Sequence, residues 1–448
     1  MGYVGITYAA ILANAGHTVY AIEVNPERLD SVRTGKSFSH EDYLDPLLAA
    51  GLASGLLIPT DSYGDAIGES DIIFSCVGTP DNPDGSTNLS YIYSVVDEVA
   101  KHVSNNEKIF VQKSTVPVGV GEKLQQLFKD NHTNVQYVSN PEFLREGTAV
   151  MDTLWFDRVV VGGSRKKATT AIINVYKQIT AQRDTIATLA GLTLPSKRKV
   201  NADKYIVTSI NSAELIKVTA NAFLATKVTF ANSIAKLADA AGADIVEVMD
   251  AVGADPRIGR AFLNAGRGFG GGCFPKDISG LISSSTDYSV EIDILHAVVQ
   301  ENDSMPGYII DKAMNAASGG SLAGKHVAVL GLSFKAGAAD FRRSPSIRIA
   351  NLLVESAGAT VKAYDPAADK TLYVKNNLNN SVTIVENVED ALTNVDAVFI
   401  ATDWQEFKAI DAQRYAELMS GTLFIDCMNS FSPDVIRSAG LTYIGVGR

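Results

Sequence analysis

From Ser212 to Gly242 the apolar residues of SAELIKVTANAFLATKVTFANSIAKLADAAG keep helical spacing with no strand signal. The segment opens on a Ser-x-Glu cap signal at Ser212 and ends near Gly242. A helix this long divides the chain. Before it, HTVYAIEV (17–24), DIIFSCVG (71–78) and KIFVQKST (108–115) read as strands, with Glu27–Arg33 and Leu89–His102 helical between them. After it, HVAVLGLSF (326–334), TVKAYDP (360–366), DAVFIATDW (396–404) and TLFIDCMN (422–429) repeat the pattern. Apolar runs alternating with helices specify parallel sheets covered on both faces. The fold class is therefore α/β, with two doubly wound domains, 1–200 and 320–448, joined by the long central helix and a helical middle domain, 205–315. Residues 244–315 read as mostly helical around one glycine-rich interruption. Gln182–Asn201 is polar and reads as an irregular surface excursion.

With 448 residues the chain has room for two or three domains. No apolar run is long enough to span a membrane and no signal peptide is visible. The three cysteines, Cys76, Cys273 and Cys427, are an odd, sparse set suited to a reducing compartment, so a cytoplasmic location is expected. A net charge of −11 argues against a nucleic-acid partner. No metal-ligand spacing stands out.

GYVG (Gly2, Tyr3, Val4, Gly5) opens a helix, and the strand that follows closes on Glu23. In a Rossmann-like domain such glycines let a pyrophosphate approach a helix N-terminus. A carboxylate about 20 residues on binds the ribose hydroxyls and favours NAD over NADP. Only the last two glycines of the fingerprint are present, so an ordinary tight turn is the competing reading. VGTP (77–80) and STVPVG (114–119) are polar loops at strand ends, where such sheets bind ligands.

GRGFGGGCFPKD (266–277) is the most informative segment: five of the seven residues 266–272 are glycine, and Cys273 follows them. A thiolate nucleophile needs nearby positive charge and partial exposure. Lys276 can supply the charge, and Asp277 can orient or deprotonate. Cys76 and Cys427 sit in apolar strands and read as small buried hydrophobes.

These blocks, with SNPEFLREGTAV (139–150), RIGRAFLNAG (257–266), GLSFKAGAADFRRSPS (331–346) and AYDP (363–366), closely resemble the UDP-glucose/GDP-mannose dehydrogenase family over nearly the whole chain. The FLNAGRGFGGGCFPKD form looks most like its UDP-glucose branch. The resemblance implies an NAD-binding domain, a central helix that builds a homodimer, and a UDP-sugar-binding domain. Four-electron oxidation of a nucleotide-sugar CH2OH to a carboxylate would run through a thiohemiacetal and a thioester on Cys273. Lys217 and Asn221 would hold the oxyanion; their four-residue spacing places them on one helix face, which could equally be a solvated one. Thr115, Glu142, Glu146 and Asp277 would handle protons and water, with Glu142 the base for thioester hydrolysis. The plainer reading of NPEFLRE is a turn before a capped helix.

By the same resemblance, cofactor contacts would come from Gly2, Tyr3, Val4, Gly5, Glu23 and Arg28, from Val77, Gly78, Thr79 and Pro80, and from Ser114, Thr115, Glu146, Lys276 and Arg342. Substrate contacts would come from Glu142, Phe143, Leu144, Arg145 and Glu146, from Lys217 and Asn221, and from Phe262, Asn264, Phe269, Gly270, Phe334 and Lys335. Arg257 would reach the sugar nucleotide across the dimer interface.

The chain departs from the family pattern at Gly272, usually serine, at Phe156, usually proline, and in a longer 182–201 segment. The family also begins with a strand and a first glycine that precede anything in this chain. In a doubly wound sheet that strand is central. Its lack predicts two unpaired strand edges, weak NAD binding and aggregation, and the expectation that Met1 is not the natural start. Two other functions stay open: a two-electron dehydrogenase, and a non-catalytic sugar-nucleotide binder. Within the family, GDP-mannose and UDP-N-acetylhexosamine remain alternative substrates.

Overall fold

The computed structural model describes residues 1–38, 41–103, 106–192, 204–368 and 372–448. They form two compact units, Met1–Ala220 with Ser279–Tyr288, and Asn221–Ile278 with Ser289–Arg448. The division passes through the central helix, which runs Ile210–Ala241 as one element. It begins two residues before the expected Ser212, because Ser209 is the capping residue: its Oγ accepts the Ser212 N–H at 3.1 Å.

The first unit contains β1 (Val19–Ile22), β2 (Leu57–Thr60), β3 (Ile72–Ser75), β4 (Lys108–Gln112), β5 (Val135–Ser139), β6 (Val159–Gly162) and β7 (Tyr205–Thr208). β3-β4-β5-β6-β7 make one sheet, parallel except where Ser139 meets Gly162 antiparallel. Alternation along β4 and β5 feeds two cores. Phe110 and Tyr137 pack with the helix Val120–Asp130, while Val111 and Val138 pack with the helix Tyr3–Asn14.

β1 and β2 stand apart as a two-stranded parallel pair. β1 and β3 line one cavity of about 940 Å3, walled also by Gly5, Tyr8, Ala9 and Leu12 of the helix Tyr3–Asn14. Among the described residues neither strand has a partner on its second edge. Ile72, Ile73 and Phe74 of β3 are only half-buried, whereas Phe110 and Val111 beside them on β4 are fully buried. At one end of the cavity the Met1 amine donates to the Ile22 carbonyl at 2.7 Å and ion-pairs with Glu23 at 3.1 Å. The unpaired edges expected from the sequence are thus present.

The segment Gln182–Asn201 differs from its reading as irregular. Arg183–Leu189 is helical and buries Ile186 and Ala187 in the core. Its polar composition hides a helix with one narrow apolar side. Residues 193–203 lie outside the described residues. Phe156, in place of the family's proline, sets its ring edge-on to Tyr176 and Tyr205, with centroids 5.8 and 5.9 Å away.

The second unit contains β8 (His326–Leu330), β9 (Thr360–Tyr364), β10 (Thr383–Ile384), β11 (Ala397–Ile400), β12 (Leu423–Asp426) and β13 (Thr442–Ile444). All are parallel, in the order β10-β9-β8-β11-β12-β13. The order reverses between β8 and β11, which makes this a complete doubly wound sheet with its switch point there. Val327 and Val329 face one core, Ala328 and Leu330 the other. The helices Ile245–Gly253, Phe274–Asp287 and Asp293–Ala316 surround the glycine-rich segment, as the sequence suggests.

The open edges generate a stability prediction. A variant extended ahead of Met1 by about six apolar-rich residues should place a strand between β1 and β3 and bury their edges. A net gain of about 2 kcal/mol would raise the melting temperature by about 4–8 °C for a domain of this size. Calorimetry of the two forms checks this; an unchanged or lower midpoint means that the cavity does not accept a strand.

Candidate active site

In the first unit the ligand-facing groups gather at the carboxyl ends of parallel strands, the usual crevice of such sheets. After the β3 end, a Cβ on Gly2 would stand 3.1 Å from the Cys76 carbonyl, and one on Gly5 would stand 3.1 Å from the Cys76 Cβ. The GYVG turn thus lies close on the strand end, where a side chain at either glycine would press it away by a few tenths of an ångström. Gly2 is the N-cap of Tyr3–Asn14 and gives no side-chain cap, so the first-turn N–H groups are left for a ligand. Glu23, at the β1 end, is buried; its Oε1 accepts the Asn25 N–H at 3.0 Å. Arg28 is exposed and stacks on Phe38 at 5.1 Å. The Ser114 Oγ donates to the Val77 carbonyl at 2.6 Å, joining the Val77–Pro80 loop to the Ser114–Thr115 loop. Cys76, expected to be a buried packing residue, is only half-buried and lines the cavity beside β3; desolvation still pushes its thiol up to about 11.

The loop after β5 carries Glu142 to Glu146. Glu142 Oε2 accepts the Leu144 N–H at 2.6 Å, and Oε1 lies 3.2 Å from Lys217 Nζ. Both side chains are largely buried, so the pair is little screened. The Phe143 ring lies under Arg158 at 3.8 Å and Lys217 at 5.5 Å. Arg145 grips Asp152 in two charge-assisted bonds of 2.6 and 3.0 Å, bracing the loop. The Tyr3 hydroxyl donates to Glu41 at 2.7 Å, and the Gly147 N–H donates to the same oxygen at 2.9 Å. Glu41 thus ties the GYVG turn to the Glu142–Glu146 loop, and burial raises its carboxyl above the usual range. Burial and Glu41 raise the Tyr3 hydroxyl too, with Glu146 adding to the effect.

In the second unit the glycine-rich loop is held by close backbone approach. A Cβ at Gly270 would stand 2.4 Å from the Arg343 carbonyl, and one at Gly271 would stand 2.9 Å from the Phe334 ring. The Gly271 N–H donates to the Arg342 carbonyl at 2.9 Å, and the Phe269 N–H to Asn302 at 2.7 Å. Gly272 leaves room for the Arg342 guanidinium, whose nitrogens lie 2.4 and 2.5 Å from where a Cβ would be. Asp340 holds that guanidinium in two bonds of 2.6 and 2.8 Å, so a fixed positive charge lies against the residue before Cys273. Arg267, fully buried, spans the switch point: it donates to the carbonyls of Ala401, Ser333 and Phe334. Burial pushes this guanidinium down to about 10.

Cys273 is exposed and directly precedes the helix Phe274–Asp287. A helix N-terminus favours a thiolate. Pro275 in the first turn is the sequence signal for this start. One turn on, Asp277 is buried and accepts from Asn221 Nδ2 at 2.6 Å and Lys276 Nζ at 2.7 Å. Phe262 and Phe269 pack on Phe274 with centroids 6.2 and 5.9 Å away. Asn264 accepts from Arg260 at 2.7 Å, Lys335 lies over the Phe334 ring at 5.7 Å, and Arg257 is exposed and paired with Asp255.

The structure thus joins Lys217 to Glu142 in the first unit, and Asn221, Asp277 and Lys276 in the second. Glu41, Arg267, Asp340 and the capping position of Cys273 were missed in the sequence. The last had a local signal, and Asp340 pairs with Arg342 only two residues on; Glu41 and Arg267 are buried charges whose partners are remote in the chain.

Three family models match this chain: the UDP-glucose/GDP-mannose dehydrogenase NAD-binding domain over residues 1–180, the central domain over 211–304 and the UDP-binding domain over 328–433. A Bacillus subtilis protein named UDP-glucose 6-dehydrogenase YwqF is 37% identical over 450 residues, covering 100% of this chain and 96% of its own. A Rhizobium meliloti UDP-glucose 6-dehydrogenase is 34% identical, covering 100% and 98%. The structure of a UDP-glucose dehydrogenase from Pyrobaculum islandicum superposes with a TM-score of 0.85 at 34% identity, covering 100% and 96%.

The packing of the glycine loop yields a prediction. Gly270→Ala should press its methyl into the Arg343 carbonyl, displace the loop and destabilise the fold by about 1–3 kcal/mol. Thermal melts and the rate of Cys273 alkylation measure this. A variant with wild-type melting and alkylation would show that the loop yields freely at this point.

Proposed function

The chain belongs to the UDP-glucose/GDP-mannose dehydrogenase family, and from that premise we propose that it oxidises the C6 alcohol of UDP-glucose to UDP-glucuronate with NAD. The observation that carries this reading is Cys273 at a helix start, one turn from the buried Asn221–Asp277–Lys276 cluster. NAD would be held by the uncapped N–H groups of the Gly2–Gly5 turn and by Glu23, and two NAD molecules in succession would each take up one hydride, the first NADH leaving before the second oxidation.

The chain's own groups manage the rest. In the first oxidation the alcohol loses its hydroxyl proton as the hydride leaves, giving an aldehyde. The Cys273 thiolate then adds to the carbonyl carbon, and the new oxyanion takes a proton. Without this adduct the aldehyde could not readily lose a second hydride. Loss of hydride and of that proton gives the thioester. Water attacks the thioester, Glu142 removes its proton, and the C–S bond breaks to return the thiol and release the carboxylate. Lys217 and Asn221 stabilise the oxyanions, and Asp277 holds the Asn221 amide with its N–H toward the carboxylate.

The assembly is a homodimer through the central helix. Phe223, Phe230 and Leu237 repeat every seven residues there, each more than half exposed, a seam suited to a second helix. Arg257 would extend from such an interface toward the partner's nucleotide sugar. Among the described residues no helix is long and apolar enough to cross a membrane, and a cytoplasmic location fits the reduced thiol that the chemistry needs.

NADH formation on a panel of nucleotide sugars tests the reading: UDP-glucose should yield two NADH per sugar, and one NADH would indicate a two-electron enzyme. Cys273→Ser should collapse multiple turnover, because serine is a poor nucleophile that cannot make a thioester. Two NADH per sugar at near wild-type rate from that variant would sink the covalent mechanism. Lys217→Ala should lower kcat about 100-fold or more with little change in KM, since its role is in the transition state. A raised KM with unchanged kcat would make it an ordinary binding contact.

A further inference from the structure

The mechanism makes no use of Glu214, a buried carboxylate on the central helix, three residues before Lys217. Its two oxygens accept one backbone N–H each: Oε2 from Gly119 and Oε1 from Gly121, both at 2.8 Å. These two N–H groups belong to the start of the helix Val120–Asp130, whose N-cap Gly119 is left-handed at φ +88 and has no side chain to cap with. Glu214 is therefore the remote cap of a helix that continues from the Ser114–Gly119 loop. Such a cap normally comes from the residue at the N-cap position itself.

The packing around the carboxylate is tight. A Cβ on Gly121 would stand 2.5 Å from the Tyr137 ring, 2.6 Å from Glu214 Oε1 and 2.6 Å from Ile210. On the other flank a Cβ on Gly162 would stand 2.5 Å from Ala213 and 2.6 Å from the Ser209 carbonyl. The first turns of the central helix are thus wedged between two glycine backbones, and Glu214 is the polar group that fixes their rotation. Positions three apart share a helix face, so a rotation that frees Glu214 also turns Lys217 away from Glu142.

We propose that Glu214 is a positioning residue that sets Lys217 in register with the Thr115 loop by capping the helix at Gly119 and Gly121. The assignment rests on the catalytic reading of Lys217 given above. Burial pushes the Glu214 carboxyl up to about 7, against the two N–H donors, with Glu122 adding to the rise. Tyr137, whose buried hydroxyl has no hydrogen-bond partner among the described residues, also packs against it, and the Tyr288 hydroxyl lies against Gly119 and donates to the Val118 carbonyl. The cap is complete when both oxygens are bare, so it forms as the pH rises through about 7. Below that, the acid hydroxyl weakens one acceptor.

Glu214→Gln keeps the shape but sets an NH2 group against one of the two N–H donors. It should lower kcat about tenfold with KM for the nucleotide sugar within twofold. It should also lose the wild-type rise of kcat near pH 7 and speed hydrogen exchange at Gly119 and Gly121 about tenfold. Wild-type kcat, pH profile and exchange in the variant would overturn the assignment, as would equal losses in kcat and KM. Should the variant fail to fold, exchange at Gly119 and Gly121 in the wild-type protein decides: both N–H groups must be protected well beyond their intrinsic rates, as the two hydrogen bonds to Glu214 require, and unprotected exchange there overturns the cap. If the wild-type protein makes no NADH from any nucleotide sugar, the functional reading fails, while exchange still judges the cap.

Discussion

The close approach of bare backbone is the constraint on which the rest depends. Each unit places a chemical group by pressing glycine against a neighbouring chain. In the second unit Gly270, Gly271 and Gly272 admit the Arg343 carbonyl, the Phe334 ring and the Arg342 guanidinium. In the first unit Gly121 and Gly162 admit the first turns of the central helix. A methyl at Gly270 or Gly162 would meet backbone and force a shift of tenths of an ångström or more, and catalysis is sensitive to shifts of about that order. The glycines give up side-chain contacts in return for position.

Buried charge is the second organising element. Glu41, Glu214, Arg267 and Asp277 are all buried, and each makes several hydrogen bonds. Three of them use backbone groups that secondary structure leaves unsatisfied: Glu41 and Glu214 accept from N–H groups, and Arg267 donates to carbonyls at the switch point. An apolar residue in those places would strand the backbone groups at a cost of about 1–3 kcal/mol each. Such networks hold loops that have no ladder of their own.

The second unit was the more legible in sequence. Its strands are runs such as HVAVL and AVFI, apolar on both faces, and their order is fixed by ordinary crossovers. In the first unit β2 carries Pro59 and β5 alternates Gln136 with Tyr137, so both fall short of a buried run. Arg183–Leu189 was read as irregular because only one narrow side is apolar. In the site, glycine, cysteine and the Lys-Asp pair were visible as a local cluster. Glu214 was legible only as a cap signal for its own helix; its real partners lie some 90 residues away (|i−j| of 93 and 95). Sequence spacing reveals groups that meet within a turn, and it is blind to those that meet through the sheet.

The two-stranded pair β1–β2 has a thermodynamic meaning of its own. Two short strands beside an open cavity make a poorly braced element, since isolated strand pairs are marginal in water. Regions of low contact density open locally at far less cost than the global fold. Glu23 sits at the end of β1, so the carboxylate that would recognise a ribose rides on a strand with one open edge. A ligand gripping it would bind only the closed fraction, and its apparent affinity would fall by that fraction. Binding would then act as a clasp, coupling cofactor occupancy to the order of the strands that carry it.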